Sequence, residues 1–155
     1  MHTRRHALSA SAKLALLLLG AGVLPAAARA QAAGFNQAAF DAKSLADVMK
    51  ALGASAPAAS GDVTVSAPDI AENGAVVPVG ASSLLPGVKR LLVLVEKNPS
   101  ALSAMFDVNE MVDANFSTRV KMGQSSDVYA VAMMNDGRVL FAKKEVKVTL
   151  GGCGG

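Results

Sequence analysis

The carboxyl end of the chain carries the clearest chemistry in the sequence. A single cysteine, Cys153, lies between two pairs of glycines, Gly151 and Gly152 before it and Gly154 and Gly155 after it. Glycine has no Cβ and loses much conformational freedom when it is ordered, so residues 151–155 are predicted to form a flexible arm. Because the thiol is its only side chain, such an arm would fit into a narrow cleft of another protein.

Residue chemistry leaves three roles open for Cys153. It could hold a substrate as a carrier thiol, form a disulfide with another chain, or belong to an inert tail. A self-sufficient catalytic thiol needs a nearby base, cation or helix N-terminus that lowers its pKa. None is adjacent in sequence, and the terminal carboxylate disfavours the thiolate. We therefore interpret Cys153 as a group that other proteins activate, and predict that the chain is not an enzyme.

The amino-terminal 30 residues are predicted to be an export signal peptide. Arg4 and Arg5 precede the apolar run 14–24, and Ala28-Arg29-Ala30 has the small-residue pattern of a cleavage site. The run is about half the length of a membrane span, and the paired arginines favour the twin-arginine export route. The mature protein is therefore expected in the bacterial periplasm.

Removing this leader changes the composition. The leader contains both histidines, four of the fifteen basic residues and none of the twelve acidic ones, so the mature chain has a net charge of −1. This balance argues against nucleic-acid or membrane-surface binding. A mature chain without histidine and with one cysteine has no Ser-His or Cys-His catalytic pair, CxxC motif or common zinc site. No cofactor and no metal are predicted.

Three other groups of side chains could bind ligands. They are the lysines Lys143, Lys144 and Lys147, the methionines Met105, Met111, Met122, Met133 and Met134, and the acidic residues Asp107, Glu110 and Asp113. The lysines alternate along a predicted strand and are interpreted as a solvated face. The methionines are interpreted as core or interface residues, since no second soft-ligand motif accompanies them. The acidic residues lack calcium-loop spacing and are interpreted as a solvated loop.

The mature chain is predicted to begin with one helix and to continue in strands. Apolar residues recur at helical spacing over 45–52, behind the capping pair Ser44 and Asp47, and Gly53 ends the pattern. Residues 54–61 are a predicted linker. Strands are then predicted at 63–66, 75–79, 88–96, 103–108, 115–122, 127–134, 138–144 and 145–150.

Turn signals connect these strands. Asn73-Gly74 predicts a hairpin before the strand at 75–79, which Pro78 assigns to an edge or a bulge. Residues 88–96 form the most apolar run and are predicted to be the central strand. Residues 135–137 predict a second hairpin. About seven strands with frequent turns favour a mainly β fold, an immunoglobulin-like β-sandwich over residues 31–150 with an N-terminal helix and the arm at 151–155.

The mature chain resembles the SoxY family, the sulfur-substrate carriers of the periplasmic thiosulfate-oxidation (Sox) system. The resemblance covers about residues 40–155. It is most specific in the terminal segment 151–155 and the preceding Lys143-Lys144-Glu145-Val146-Lys147-Val148-Thr149-Leu150. Further similar segments are residues 70–74, 95–99, 117–121 and 127–132.

This resemblance implies that Cys153 covalently holds sulfur intermediates while partner enzymes oxidise and hydrolyse them. It implies a heterodimer with a separate SoxZ-like subunit. It also implies encounters with a c-type cytochrome, a sulfate-releasing hydrolase and a sulfane dehydrogenase. The alternative from a different class is an exported β-sandwich subunit whose single cysteine forms an inter-chain disulfide tether.

Overall fold

The computed structural model describes residues 36–149. Two short helices, α1 (Gln37–Asp41) and α2 (Leu45–Ala51), precede nine strands. The strands are β1 (Ala58–Ala59), β2 (Val63–Ser66), β3 (Ile70–Ala71), β4 (Val77–Ser83), β5 (Val88–Val95), β6 (Leu102–Asp107), β7 (Asn115–Val120), β8 (Ser126–Met134) and β9 (Val139–Val148). The fold is mainly β, as predicted, and seven of the strands are longer than two residues.

The strands form two sheets. The larger sheet has the order β1-β9-β8-β5-β6, with β3 added to β9, and the smaller has the order β2-β4-β7. The strands β5, β6, β8 and β9 pair in antiparallel fashion, whereas β1 and β3 join β9 in parallel. The two sheets enclose a core of mainly valine and alanine side chains, which gives the predicted immunoglobulin-like sandwich.

From Leu91 to Val95 the strand β5 is apolar and buried, because both of its faces are covered there. Leu91, Val93 and Val95 lie in the core between the sheets. Leu92 and Leu94 lie on the outer face of the larger sheet, in a second buried cluster to which α1 and α2 contribute. The apolar run predicts a central strand; β5 is an interior strand, but β8 occupies the middle of the strand order.

The helix predicted at 45–52 is confirmed as α2. The Ser44 hydroxyl accepts a hydrogen bond from the Asp47 N–H at 3.2 Å, and Gly53, with φ of 64°, follows the last turn. The shorter α1 was not predicted. Asn36 caps it by accepting a hydrogen bond from the Ala39 N–H, and its five residues are too few to show a helical period.

Four sequence predictions about the strands and their connections are wrong. Asn73-Gly74 forms a turn but no hairpin, because β3 before it pairs with β9 instead of β4. The strand β4 lies between β2 and β7 and is not an edge strand. Pro78 is tolerated because the pairing with β2 stops at Gly80, so Pro78 has a neighbouring strand on the β7 side only. The strands predicted at 138–144 and 145–150 are one continuous strand, β9, and the linker at 54–61 contains β1.

The hairpin predicted at residues 135–137 is confirmed. It joins β8 to β9, and Gly137 adopts the positive φ of 87° that this turn requires. Because β8 and β9 pair along almost their whole length, the hairpin lies at one end of the sandwich and the last residues of β9 lie at the other.

Candidate functional site: the root of the C-terminal arm

Cys153 and the glycines Gly151, Gly152, Gly154 and Gly155 lie outside the described residues, as does the signal peptide predicted at 1–30. The described chain ends at Thr149. The structure therefore describes only the end of the sandwich from which the cysteine-bearing segment begins. We define the arm root as residues 147–149, the end of β9 and the residue after it.

One side of the arm root is held by β3. Ile70 is paired with Lys147, and Ala71 with Val148, in a parallel ladder. The Lys147 N–H donates to the Asp69 carbonyl at 2.9 Å, and the Thr149 N–H donates to the Ala71 carbonyl at 3.1 Å. These hydrogen bonds continue the sheet up to the last described residue, so the chain leaves the sandwich from a fixed position.

The other side of the arm root is held by a side chain. The Val148 N–H donates to the Ser125 hydroxyl at 2.9 Å, just before β8 begins. Gly74 packs against the same valine: a Cβ on Gly74 would lie 2.8 Å from a Val148 methyl group and 2.4 Å from the Met122 carbonyl oxygen. Only glycine allows the turn after β3 to approach the arm root so closely.

Of the three lysines before the arm root, two project from one face of β9 and one from the other. Lys143 and Lys147 are exposed on the outer face of the larger sheet. Lys144 points the opposite way, donates to the Ala67 carbonyl at 2.6 Å and forms an ion pair with Asp69 at 3.0 Å. The interpretation as a solvated face holds for the two exposed lysines and is wrong for Lys144, which instead fastens the chain leading into β3.

A polar cluster lies beside Lys143 on the outer face. Its Nζ donates to the Asp127 carboxylate at 2.6 Å, and this hydrogen bond is the main reason why the pKa of Lys143 is raised. The ammonium also lies 5.8 Å from the centre of the Tyr129 ring. Burial, followed by the charge of Glu96, raises the pKa of the Tyr129 hydroxyl. Both side chains therefore keep their usual neutral-pH protonation states: an ammonium and a neutral phenol.

The methionines and acidic residues that could bind a metal are divided between the core, the outer cluster and the β6–β7 loop. Met122 and Met134 are in the core between the sheets, Met105 and Met133 pack against the outer cluster, and Met111 is exposed. Asp107 forms an ion pair with Arg90 at 2.5 Å. Within residues 36–149, no three His, Cys, Asp or Glu side chains are arranged to hold a metal ion.

Sequence reasoning missed the residues that hold the arm root. Ser125 and Ala71 carry no local signal, because each acts through contact with a strand distant in sequence. The signal at Asn73-Gly74 correctly predicts a turn but predicts the wrong strand pair. Among the described helices, neither is long and apolar enough to cross a membrane.

Comparison with known proteins agrees with this architecture. A family model described as "Sulfur oxidation protein SoxY" matches residues 48–153. The solved structure of the sulfur carrier protein SoxY from Chlorobium limicola f thiosulfatophilum is similar, with 31% sequence identity and a TM-score of 0.60 over 66% of this chain and 93% of that chain. No curated protein sequence matches.

A more distant solved structure shows the fold alone. A superoxide reductase (neelaredoxin) variant from Ignicoccus hospitalis has 17% identity and a TM-score of 0.50, over 56% of this chain and 79% of that chain. The shared feature is the sandwich.

The fold and the site together define an immunoglobulin-like β-sandwich protein whose last strand is held on both sides where a cysteine-bearing segment begins. The family match extends over more than half of the sequence and ends at Cys153. The chain belongs to the SoxY family of sulfur oxidation proteins. This membership relates it to the Sox system.

Proposed function

We propose that this protein is a covalent carrier of sulfur intermediates in thiosulfate oxidation, with Cys153 as the attachment point. The observation that carries the proposal is the extent of the family match, which runs through the arm root and ends at that cysteine. The similar solved structure from Chlorobium is itself described as a sulfur carrier protein. The carrier role needs no catalytic group on this chain, so the protein is a non-catalytic subunit.

The proposed loading step forms a sulfur–sulfur bond between the Cys153 thiol and the outer sulfur of thiosulfate. The thiol loses its proton, and two electrons pass to a c-type cytochrome of the system, giving a cysteine S-thiosulfonate. A partner hydrolase then adds water to the terminal sulfone. Sulfate and two protons leave, and a persulfide anion remains on Cys153 for a sulfane dehydrogenase to oxidise.

The held arm root suits this role. Cys153 is the fourth residue after Thr149, so its Cα lies within about 14 Å of a fixed point on the sandwich. Gly151 and Gly152 on one side, and Gly154 and Gly155 on the other, add no side-chain bulk to that segment. The cargo can then enter a narrow active site of a partner while the sandwich stays outside.

The proposed setting is the bacterial periplasm, reached through the signal peptide at residues 1–30. There the protein forms a heterodimer with a SoxZ-like subunit and meets the cytochrome, the hydrolase and the dehydrogenase in turn. No nucleic acid or membrane takes part, and the chain itself holds no cofactor.

Intact-mass spectrometry tests the attachment point. Protein isolated from thiosulfate-grown cells should carry mass additions of thiosulfate or of one or more sulfur atoms, and peptide mapping should place them on Cys153. The Cys153→Ser variant should carry none. Protein alkylated with iodoacetamide before exposure to thiosulfate serves as the matched control and should also stay unloaded.

Two results would contradict the carrier proposal. Adducts that persist in Cys153→Ser would place the attachment elsewhere. A non-reducing gel of periplasmic extract that shows mainly a covalent dimer would instead support the inter-chain disulfide tether.

A further inference from the structure

The smaller sheet ends in a strand that has no neighbouring strand on its outer side among the described residues. The strand β7 (Asn115–Val120) is the last in the order β2-β4-β7 and pairs with β4 only. This pairing runs without a register shift over six residue pairs. An edge of this kind presents a row of backbone donors and acceptors, which can pair with a strand of another chain.

The ladder between β4 and β7 shows which backbone groups face outward. The Ser83 N–H donates to the Ala114 carbonyl at 2.9 Å, which continues the register of the two strands by one pair. In an antiparallel ladder every second pair is hydrogen-bonded. The even-numbered residues of β7 therefore bond to β4, and the odd-numbered ones, Asn115, Ser117 and Arg119, direct their N–H and C=O groups to the free edge.

Most of these outward groups are unpaired. The Asn115 N–H donates to the Asp113 carbonyl at 2.8 Å, but the backbone groups of Ser117 and Arg119 have no hydrogen-bond partner within the described residues. The side chains of Asn115, Ser117 and Arg119 are all exposed. The edge is therefore open to an incoming strand.

The other described sheet edges are shorter or less regular. The strand β2 has four residues, β1 and β3 have two each, and the pairing of β6 with β5 contains a register shift. Short strands and irregular pairing keep sheet edges from associating. The edge of β7 has neither feature, and its Phe116 ring stacks on Phe106 of the larger sheet, with ring centres 4.6 Å apart. The strand is thus fixed before a partner arrives, which reduces the entropy cost of binding.

Charges of opposite sign lie at the two ends of β7. Glu110 and Asp113 precede the strand, and Arg119 and Lys121 lie at its end. All four side chains are exposed, and none forms an ion pair within the described residues. When two copies of the strand pair in antiparallel fashion, the start of each meets the end of the other. Each acidic end then meets a basic end, so the edge is complementary to itself.

The outward backbone groups also restrict the register of such a pairing. Each hydrogen-bonded pair needs an odd-numbered residue on both strands. All three outward residues find partners within the strand only when Ser117 lies on the two-fold axis, opposite its own copy. Asn115 then lies opposite Arg119, and Asp113 faces Lys121 across the two copies.

The protein's own C-terminal segment fits this edge poorly. Four of the five residues 151–155 are glycine, which is a poor strand former, and none has a charged side chain. A second copy of β7 supplies both an alternating strand and the charges in the required order.

We propose that β7 is the pairing edge for a second copy of this chain, which adds its own β7 in antiparallel orientation about a two-fold axis at Ser117. The three strands of each smaller sheet then form one continuous sheet of six strands. The strand β7 ends near the arm root, since the Met122 N–H donates to the Gly74 carbonyl at 2.7 Å. Because the two strands run in opposite directions, the two arm roots lie at opposite ends of the pair. The association needs no bond to Cys153 and is independent of the proposed function.

Engineered cysteines test the register. In the mature protein carrying Cys153→Ser, the substitution Ser117→Cys should give an inter-chain disulfide under mild oxidation. The Cα atoms of opposite residues in a hydrogen-bonded pair lie about 5.5 Å apart, which is within the range that a disulfide spans. The matched control is Thr64→Cys in the same background, on β2 at the opposite edge of the same sheet. It should run as a monomer on a non-reducing gel.

Sedimentation equilibrium under reducing conditions measures the association itself. The mature protein with its native Cys153 should form a reversible dimer. The single substitutions Asp113→Lys and Lys121→Asp should each raise the dimer Kd by at least about tenfold, because like charges then meet. The double variant Asp113→Lys/Lys121→Asp should return the Kd toward the wild-type value, since the exchanged charges pair again. Melting temperatures of the dissociated proteins should not change, because both side chains are exposed.

Four results would overturn the proposal. They are a reduced mature protein that is monomeric at every concentration, cross-linking of Ser117→Cys that does not exceed that of Thr64→Cys, a double variant as weak as the single ones, and protection of the Ser117→Cys thiol by the SoxZ-like subunit alone. The last result would assign the edge to a different partner. Cys153 adducts are measured separately, so a failed pairing edge and a failed carrier role give different results.

Discussion

Gly74 lies where the turn after β3 passes between the Met122 carbonyl and Val148 of the arm root. A methyl group there would overlap the carbonyl oxygen, which belongs to the backbone and cannot rotate away. The position of the arm root thus depends on the absence of a side chain at Gly74.

Replacing Gly74 by Ala should lower the free energy of unfolding by about 1–3 kcal/mol, since the turn or the arm root must shift. It should also speed hydrogen exchange at the Val148 amide, whose bond to Ser125 needs the present strand position. Chemical denaturation and native-state exchange measure the two effects.

Gly123→Ala is the matched control. Its Cβ would meet nothing within 4 Å, and its backbone is not in the left-handed region. The substitution should leave stability unchanged or raise it by up to about 1 kcal/mol by restricting the unfolded chain. Equal destabilisation by the two alanines would refute the close-packing argument for Gly74.

At the scale of elements, α2 covers the outer face of the larger sheet. Val48 and Met49 are buried with Leu92 and Leu94 of β5, so the helix completes a second apolar layer. The sequence of β5 reflects this burial on both faces: an apolar run without alternation is expected of a strand covered on both sides.

If α2 is an integral layer, Met49→Ala should lower the free energy of unfolding by about 2–5 kcal/mol through lost burial and a residual cavity. Lys50→Ala, the next residue on the exposed side of the same helix, should change it by less than about 0.5 kcal/mol. Urea denaturation compares the two. If both substitutions change the free energy of unfolding by similarly small amounts, packing of α2 against the sheet contributes little to stability.

At the scale of the whole molecule, the sandwich separates two ends. The arm root lies at one end, and the β8–β9 hairpin lies at the other, about the length of β9 away.

The glycines of the arm should matter to partner enzymes more than to this protein. The double variant Gly152→Val/Gly154→Val adds β-branched bulk on both sides of Cys153. It should keep the wild-type melting temperature and the same iodoacetamide reactivity. In a reconstituted system, thiosulfate-dependent electron transfer should fall at least about tenfold.

The double variant Gly152→Ala/Gly154→Ala is the graded control. Its rate of thiosulfate-dependent electron transfer should lie between those of the wild type and the valine variant. If electron transfer is unchanged in the valine variant, Cys153 does not need to pass through a narrow channel.

The sequence alone determined features that depend on local pattern. The cap at Ser44, the hairpin at 135–137 and the apolar run of β5 each follow from residues near one another in the chain, and all three are confirmed. The recognition of the SoxY family also came from local segments. The signal peptide at 1–30 and the flexible arm at 151–155 remain predictions, because they lie outside the described residues.

Only the tertiary structure decided which distant strands pair. Asn73-Gly74 reads as a hairpin locally, yet β3 pairs with β9 across more than seventy residues, and this pairing creates the arm root. Likewise, Leu84 and Val112 are distant in the sequence, and two loops bring them to one end of the sandwich, where both line the same groove. The backbone groups that pair strands are the same at every residue except proline. The choice of partner strand therefore comes from packing of the whole core rather than from local sequence.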